Sequence, residues 1–122
     1  MTLVDSNIII YASKPEHSTL RDFIAKNAPA VSAVSFVEVL GYPRLIDQER
    51  VHFEAFFASA TILPIDDAVL DEAVRLRQQR RMTLGDALTA ATALVHGLTL
   101  VTRNTGDFDW IAGLALHNPF QP

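Results

Sequence analysis

The chain has 122 residues, of which 49% are hydrophobic, 20% charged and 8% aromatic, and it contains no cysteine. That is one domain's worth of chain, expected to span residues 1–122, and its apolar content excludes disorder while no run approaches the ~20 residues of a membrane span. Ten Lys+Arg against fourteen Asp+Glu give −4, a poor footing for general nucleic-acid binding, although Arg75, Arg77, Arg80 and Arg81 fall within seven residues.

The first strand is expected at Leu3-Val4, ending in Asp5. Asp5 or Ser6 can cap a helix over Asn7–Ala12, which Lys14-Pro15 breaks. A second helix is expected over Glu16–Lys26. After Pro29, Val31–Val34 reads as a short buried strand, with Ser35 as the cap of a helix carrying Phe36 to Leu40. Gly41-Tyr42-Pro43 stops that helix. From Asp47 to Ala60, the positions Val51, Phe53, Ala55, Phe56 and Ala58 suit an amphipathic helix. Thr61–Pro64 reads as a strand. Asp66 and Asp67 then sit at a helix N-terminus, where the macrodipole favours them. Val69, Ala73 and Leu76 mark its buried face, and Asp71 is spaced to pair with Arg75.

Asp86 is expected to open the most apolar helix, which runs to a C-cap at Gly97. Leu98–Thr102 is the clearest strand. A polar loop with Asn104, Gly106, Asp107 and Asp109 precedes a last short strand at Leu114–His117. No basic segment precedes the apolar run at Ile8–Ala12, so Met1 is not expected to open a signal peptide, and a cytoplasmic protein is expected. Without cysteine, disulfide frameworks, thiolate zinc sites and cysteine nucleophiles are excluded.

Strands alternating with helices predict an α/β fold with a parallel sheet and helices on both faces. Ligands in such sheets bind beyond the carboxyl ends of the strands. That rule selects Asp5, the Ser35–Glu38 segment and the Asn104–Asp107 segment; Asp86 is less obviously placed there. Each acid also has a structural explanation. Asp5 can be a cap, Thr83-x-x-Asp86 has capping-box spacing, Glu38 can be a solvated helix residue and Asp107 a turn acid. Gathered at one pole, four carboxylates ~7 Å apart would repel by ~2 kcal/mol per pair at an effective dielectric of ~20. All pairs together would rival a domain's stability of ~5–15 kcal/mol, so the set needs protons or a divalent cation. An all-oxygen site selects Mg²⁺ or Mn²⁺ over zinc.

These residues resemble a known family. Leu3-Val4-Asp5-Ser6-Asn7-Ile8-Ile9-Ile10, Ser35-Phe36-Val37-Glu38-Val39-Leu40-Gly41-Tyr42-Pro43, Asp86-Ala87-Leu88-Thr89-Ala90-Ala91-Thr92-Ala93 and Leu100-Val101-Thr102-Arg103-Asn104-Thr105-Gly106-Asp107-Phe108 follow one another at family spacing. They are similar to the motifs of PIN-domain ribonucleases, above all the VapC-type toxins of toxin–antitoxin pairs. The usual residue at Ser6 is threonine, which also carries a hydroxyl. The resemblance covers nearly the whole chain and implies a three-layer α/β/α sandwich around a central parallel sheet. It implies an acidic quartet of Asp5, Glu38, Asp86 and Asp107, with Asp5 and Asp86 as principal ligands of Mg²⁺, or of Mn²⁺ as a substitute. It further implies accessory polar roles for Ser6 and Asn104, an RNA substrate, a small antitoxin partner, a homodimer and no membrane association.

RNA also needs positive charge near the acids. Arg80, Arg81 and Arg103 are the candidates, while Arg75 has a local partner. Phe108, Trp110 and Phe120 read as packing aromatics rather than base-stacking ones. Phe53, Phe56 and Phe57 share one helix, and the surface around Phe56 and Phe57 is a candidate interaction face. His17, His52, His96 and His117 show no metal-ligand spacing. Two other readings compete. A strand-end aspartate followed two residues later by an acid marks haloacid-dehalogenase-type phosphatases, but Asn7 stands there and cannot act as the acid. Alternatively, the chain is a PIN-scaffold module that binds RNA and regulates without cleaving.

Overall fold

The computed structural model describes residues 1–121. Five strands, β1 (Thr2–Val4), β2 (Ala30–Ser32), β3 (Ile62–Leu63), β4 (Thr99–Val101) and β5 (Leu116–His117), form one sheet in the order β3-β2-β1-β4-β5. Every pairing is parallel. Six helices cover it: α1 (Ser6–Ala12), α2 (Ser18–Asn27), α3 (Ala33–Leu40), α4 (Asp47–Ser59), α5 (Asp67–Gln79) and α6 (Leu84–His96). The alternation of strand side chains feeds two cores. Leu3 and Leu100 face the cluster built by α5 and α6, whereas Val4, Val31 and Val101 face the cluster of α1, α2 and α4, with Val39 of α3. This is the α/β/α sandwich with a central parallel sheet that the motifs imply.

Local signals explain most boundaries. Asp5 caps α1 by accepting from the Ile8 amide, Asp66 caps α5 by accepting from Val69, and Thr83 caps α6 by accepting from Asp86. Gly97 ends α6 at φ 64°, the left-handed geometry expected of a C-cap glycine. Residues Ala87–Ala93 are buried without interruption, which makes α6 the central helix.

Several expectations are corrected. The second strand ends at Ser32, which caps α3, so Val34 and Ser35 lie inside the helix and Ser35 is fully buried. The cap moves three residues earlier because both serines suit the role and the sheet register stops at Ser32. Asp86 is the third residue of α6 rather than its opener, the position that Thr83 capping demands. Arg75 pairs with Glu72 instead of Asp71, the longer carboxylate reaching across one turn. On α4 the buried residues are Phe53 and Phe57, one turn apart. Val51 is 68% exposed, because two residues rotate a side chain about 200° around a helix. Phe57 is therefore core, packed edge-on against Phe36 and Phe56, and cannot anchor a surface partner. Among the described residues no helix is long and apolar enough to cross a membrane.

Candidate active site

The strand order reverses beside β1: the chain steps from β1 to β2 to β3 on one side, then crosses to β4 on the other. A crevice opens at the carboxyl ends of the two strands flanking such a switch point. Asp5 follows β1 and Thr102 follows β4. Because Val4 is registered against Val101, the next residues stand abreast. The Thr102 hydroxyl donates to Asp5 Oδ2 at 2.6 Å, and the Ile8 amide donates to Oδ1 at 2.9 Å. Asp5 is 8% exposed, and burial raises its pKa above the ordinary carboxylate value. The hydrogen bonds from Thr102 and the α1 backbone oppose that rise, and the charge of Glu38 adds to it.

Asp86 reaches the same place from α6. A helix that feeds a parallel strand runs back across the sheet, so it begins at the carboxyl pole. This brings Asp86 to the pole where the sequence left its placement open. Burial raises its pKa first, followed by the charges of Asp107, Asp5 and Glu38, while the Thr83 hydroxyl works in the opposite direction. All four acids of the quartet therefore share one electrostatic neighbourhood, with Asp86 feeling the other three.

Glu38 projects from α3 and Asp107 from a 3₁₀ turn at Thr105–Asp107, and both are exposed. Ser6 Oγ lies 2.7 Å from Glu38 Oε1 and 2.9 Å from Ser35 Oγ. With one hydrogen, Ser6 donates to the carboxylate and accepts from Ser35. The Asn104 amide donates to Thr102 Oγ1 at 3.1 Å, and its carbonyl accepts from the Asp107 amide at 3.1 Å. Asn104 thus joins the site through its backbone.

The set is chemically suited to a hard divalent cation: it offers carboxylate and hydroxyl oxygens only, and its two more enclosed acids bind protons more tightly than usual, a bias that a cation would relieve. In the side-chain conformations described, no three Asp, Glu or His groups stand close enough to hold an ion.

The candidate arginines lie against aromatic rings or line a depression of their own. Arg103 lies over Phe120, 4.4 Å from the ring centroid, and 5.3 Å from that of Tyr11. Arg80 lies 5.5 Å from the Trp110 centroid. Arg77, Arg80 and Arg81 line an open depression of about 450 Å³ that none of the four acids lines. Phe108 is buried, as expected of a packing aromatic. Sequence reasoning missed Thr102 and misread Ser35 as a cap. Hydroxyls carry no periodic signal, and their partners come from other segments.

The chain belongs to the PIN-domain family, whose domain model matches residues 2–114. The curated relatives to which it is similar are named as VapC ribonucleases. It is 30% identical to the VapC ribonuclease Y4jK of Sinorhizobium fredii, over 100% of this chain and 99% of that one. It is 33% identical to ribonuclease VapC10 of Mycobacterium tuberculosis, over 88% and 86% of the two chains. Among solved structures it is similar to a chain of a toxin–antitoxin complex from Klebsiella pneumoniae, with a TM-score of 0.78, 28% identity and full coverage of both chains.

Proposed function

We propose that the chain is a metal-dependent endoribonuclease and the toxin of a toxin–antitoxin pair, acting in the cytoplasm on RNA phosphodiester bonds. The observation that carries this reading is the shared neighbourhood of Asp5, Glu38, Asp86 and Asp107 at the topological switch point. Similarity to relatives named as VapC ribonucleases and to a toxin–antitoxin complex supports it.

Mg²⁺, or Mn²⁺ in its place, supplies charge stabilisation for the phosphorane and leaving oxygens and activates a water when bound. Asp5 and Asp86 would hold it. Each Asp5 oxygen accepts one hydrogen bond in the structure, and an ionised carboxylate has about four acceptor sites, so both oxygens keep capacity for a cation. Glu38, steadied by Ser6, and Asp107 would complete the shell, orient water or accept its proton. Arg80, Arg81 and Arg103 would attract the RNA backbone, and a small antitoxin would be the protein partner.

The test is cleavage of total cellular RNA by antitoxin-free protein with Mg²⁺, with Mn²⁺ and with chelator, beside Asp5→Asn. Discrete, metal-dependent fragments absent from the mutant are expected. Intact RNA in every lane, from folded protein that retains RNA, would favour the non-cleaving binding module.

A further inference from the structure

We propose that Gly85 is a positioning residue for Glu38: the space left by its missing side chain is the seat in which the Glu38 carboxylate lies. The inference rests on the ribonuclease reading of the site. A Cβ added at Gly85 would stand 2.3 Å from Glu38 Oε2 and 3.1 Å from Glu38 Cδ. Both distances are shorter than van der Waals contact, so any other residue there displaces the carboxylate. The second oxygen is held separately, by the Ser6 hydroxyl at 2.7 Å, and Ser6 is backed by the buried Ser35. The seat is a junction of three helices, with Ser6 from α1, Glu38 and Ser35 from α3, and Gly85 from α6.

No backbone demand explains this glycine. Only Gly97 and Gly113 have positive φ among the described glycines, and Gly85 lies in the first turn of a regular helix, where alanine is the better former. What remains is space. The seat also does something a free glutamate cannot. Glu38 is exposed, so without restraint its carboxylate would sample many rotamers. Ser6 on one oxygen and the α6 backbone against the other confine it at Gly85, the residue before Asp86. The atom that a Gly85 side chain would strike is the end of a flexible side chain, so the fold should tolerate the change while Glu38 moves.

The experiment is a double-mutant cycle of Gly85→Ala and Glu38→Ala. It is read by the Glu38 carboxylate ¹³C resonance where Glu38 is present, by Mn²⁺ titration, and by cleavage of total RNA. Gly85→Ala is expected to melt at or above the wild-type temperature and to move the Glu38 resonance. It should weaken Mn²⁺ binding about 10-fold, the lower end for lost support of a metal ligand. Cleavage should fall through kcat more than KM. In the Glu38→Ala background the same substitution should have no further effect on Mn²⁺ binding. An unmoved resonance, or an equal loss of Mn²⁺ affinity in the Glu38→Ala background, overturns the proposal. If wild-type protein neither binds Mn²⁺ nor cuts RNA, the ribonuclease reading fails, and the resonance alone then upholds or overturns the seat.

Discussion

The Thr102 hydroxyl donates to Asp5 Oδ2 across 97 positions of sequence, and both side chains are buried. The contact exists because β1 and β4 are neighbours in the sheet and their registered ends present residues 5 and 102 side by side. It favours the ionised form of an acid that burial pushes toward the neutral one. Thr102→Val keeps the shape and removes the donor. The expected result is a stability loss of about 1.5–3 kcal/mol at neutral pH, the range for a hydrogen bond to a charged group. The loss should shrink under acid conditions, where Asp5 is protonated. Urea denaturation at both pH values checks it, and equal stability of the two proteins at neutral pH would remove Thr102 from the site's support.

Asp5 serves two masters, since one oxygen caps α1 and the carboxylate belongs to the acidic set. Asn is as good a cap as Asp, whereas Ala loses the cap at a cost of about 1 kcal/mol. Asp5→Asn should therefore keep the wild-type fold, and Asp5→Ala should be measurably less stable than Asp5→Asn. Both should lose cleavage by about 100-fold or more, since losing mere support of a metal ligand already costs about 10–100-fold and Asp5 would hold the cation itself. Thermal melts and RNA cleavage together separate the roles. Wild-type cleavage by Asp5→Asn would show that the charge is not needed.

The raised pKa values of Asp5 and Asp86 fix a sign for pH dependence. A carboxyl whose folded pKa lies above its unfolded value binds more protons when folded. Its contribution to stability therefore falls as pH rises through the window from the unfolded to the folded pKa. Above that window the penalty is fully present. In chelator at neutral pH, Asp86→Asn should thus melt above wild type, and the difference should close as pH drops below the ordinary carboxylate range. Mg²⁺ should reverse the order. A cation at about 100 times its Kd adds about 2.7 kcal/mol to the protein that binds it. Calorimetry with and without Mg²⁺ measures both. A lower melting temperature for Asp86→Asn in chelator contradicts the charge argument.

The arginines should divide by what they touch. Arg81 is exposed and has no ion pair among the described residues. Arg81→Ala should weaken RNA binding without cost to the fold and reduce the slope of log K against log salt by about 0.7, the value for one single-strand phosphate contact. Arg80→Ala should also lose its contact with Trp110, about 0.5–1 kcal/mol at an exposed site. Salt-dependent binding of a single-stranded RNA beside urea denaturation tests the split. Slopes equal to wild type would exclude both from the RNA path.

Phe57 is 4% exposed and packed against Phe36 and Phe56. Phe57→Ala should therefore destabilise the protein by about 3–5 kcal/mol, as expected for a large core aromatic. A loss below 1 kcal/mol by denaturation would return Phe57 to the surface.

Local chemistry made much of this protein legible in its residues. Alternating short apolar runs and helical patterns specify a parallel α/β sheet. Asp5, Asp66, Thr83 and Gly97 announce helix ends through contacts within four residues, and Ala87 to Ala93 announces the buried helix. The four acids could be named because their motifs follow in order, and three of them lie in the segments that follow strands β1, β2 and β4. What the tertiary structure decided are contacts that no local period encodes. Ser32 displaces Ser35 as a cap because the sheet ends there. Asp86 reaches the pole because α6 must run back across the sheet to feed β4. Thr102 meets Asp5 only when β4 docks beside β1, and Glu38 finds its place only where α6 brings a glycine against it. Periodicity and capping act over one turn of chain, whereas register and helix crossing join segments that only the packed sheet places together.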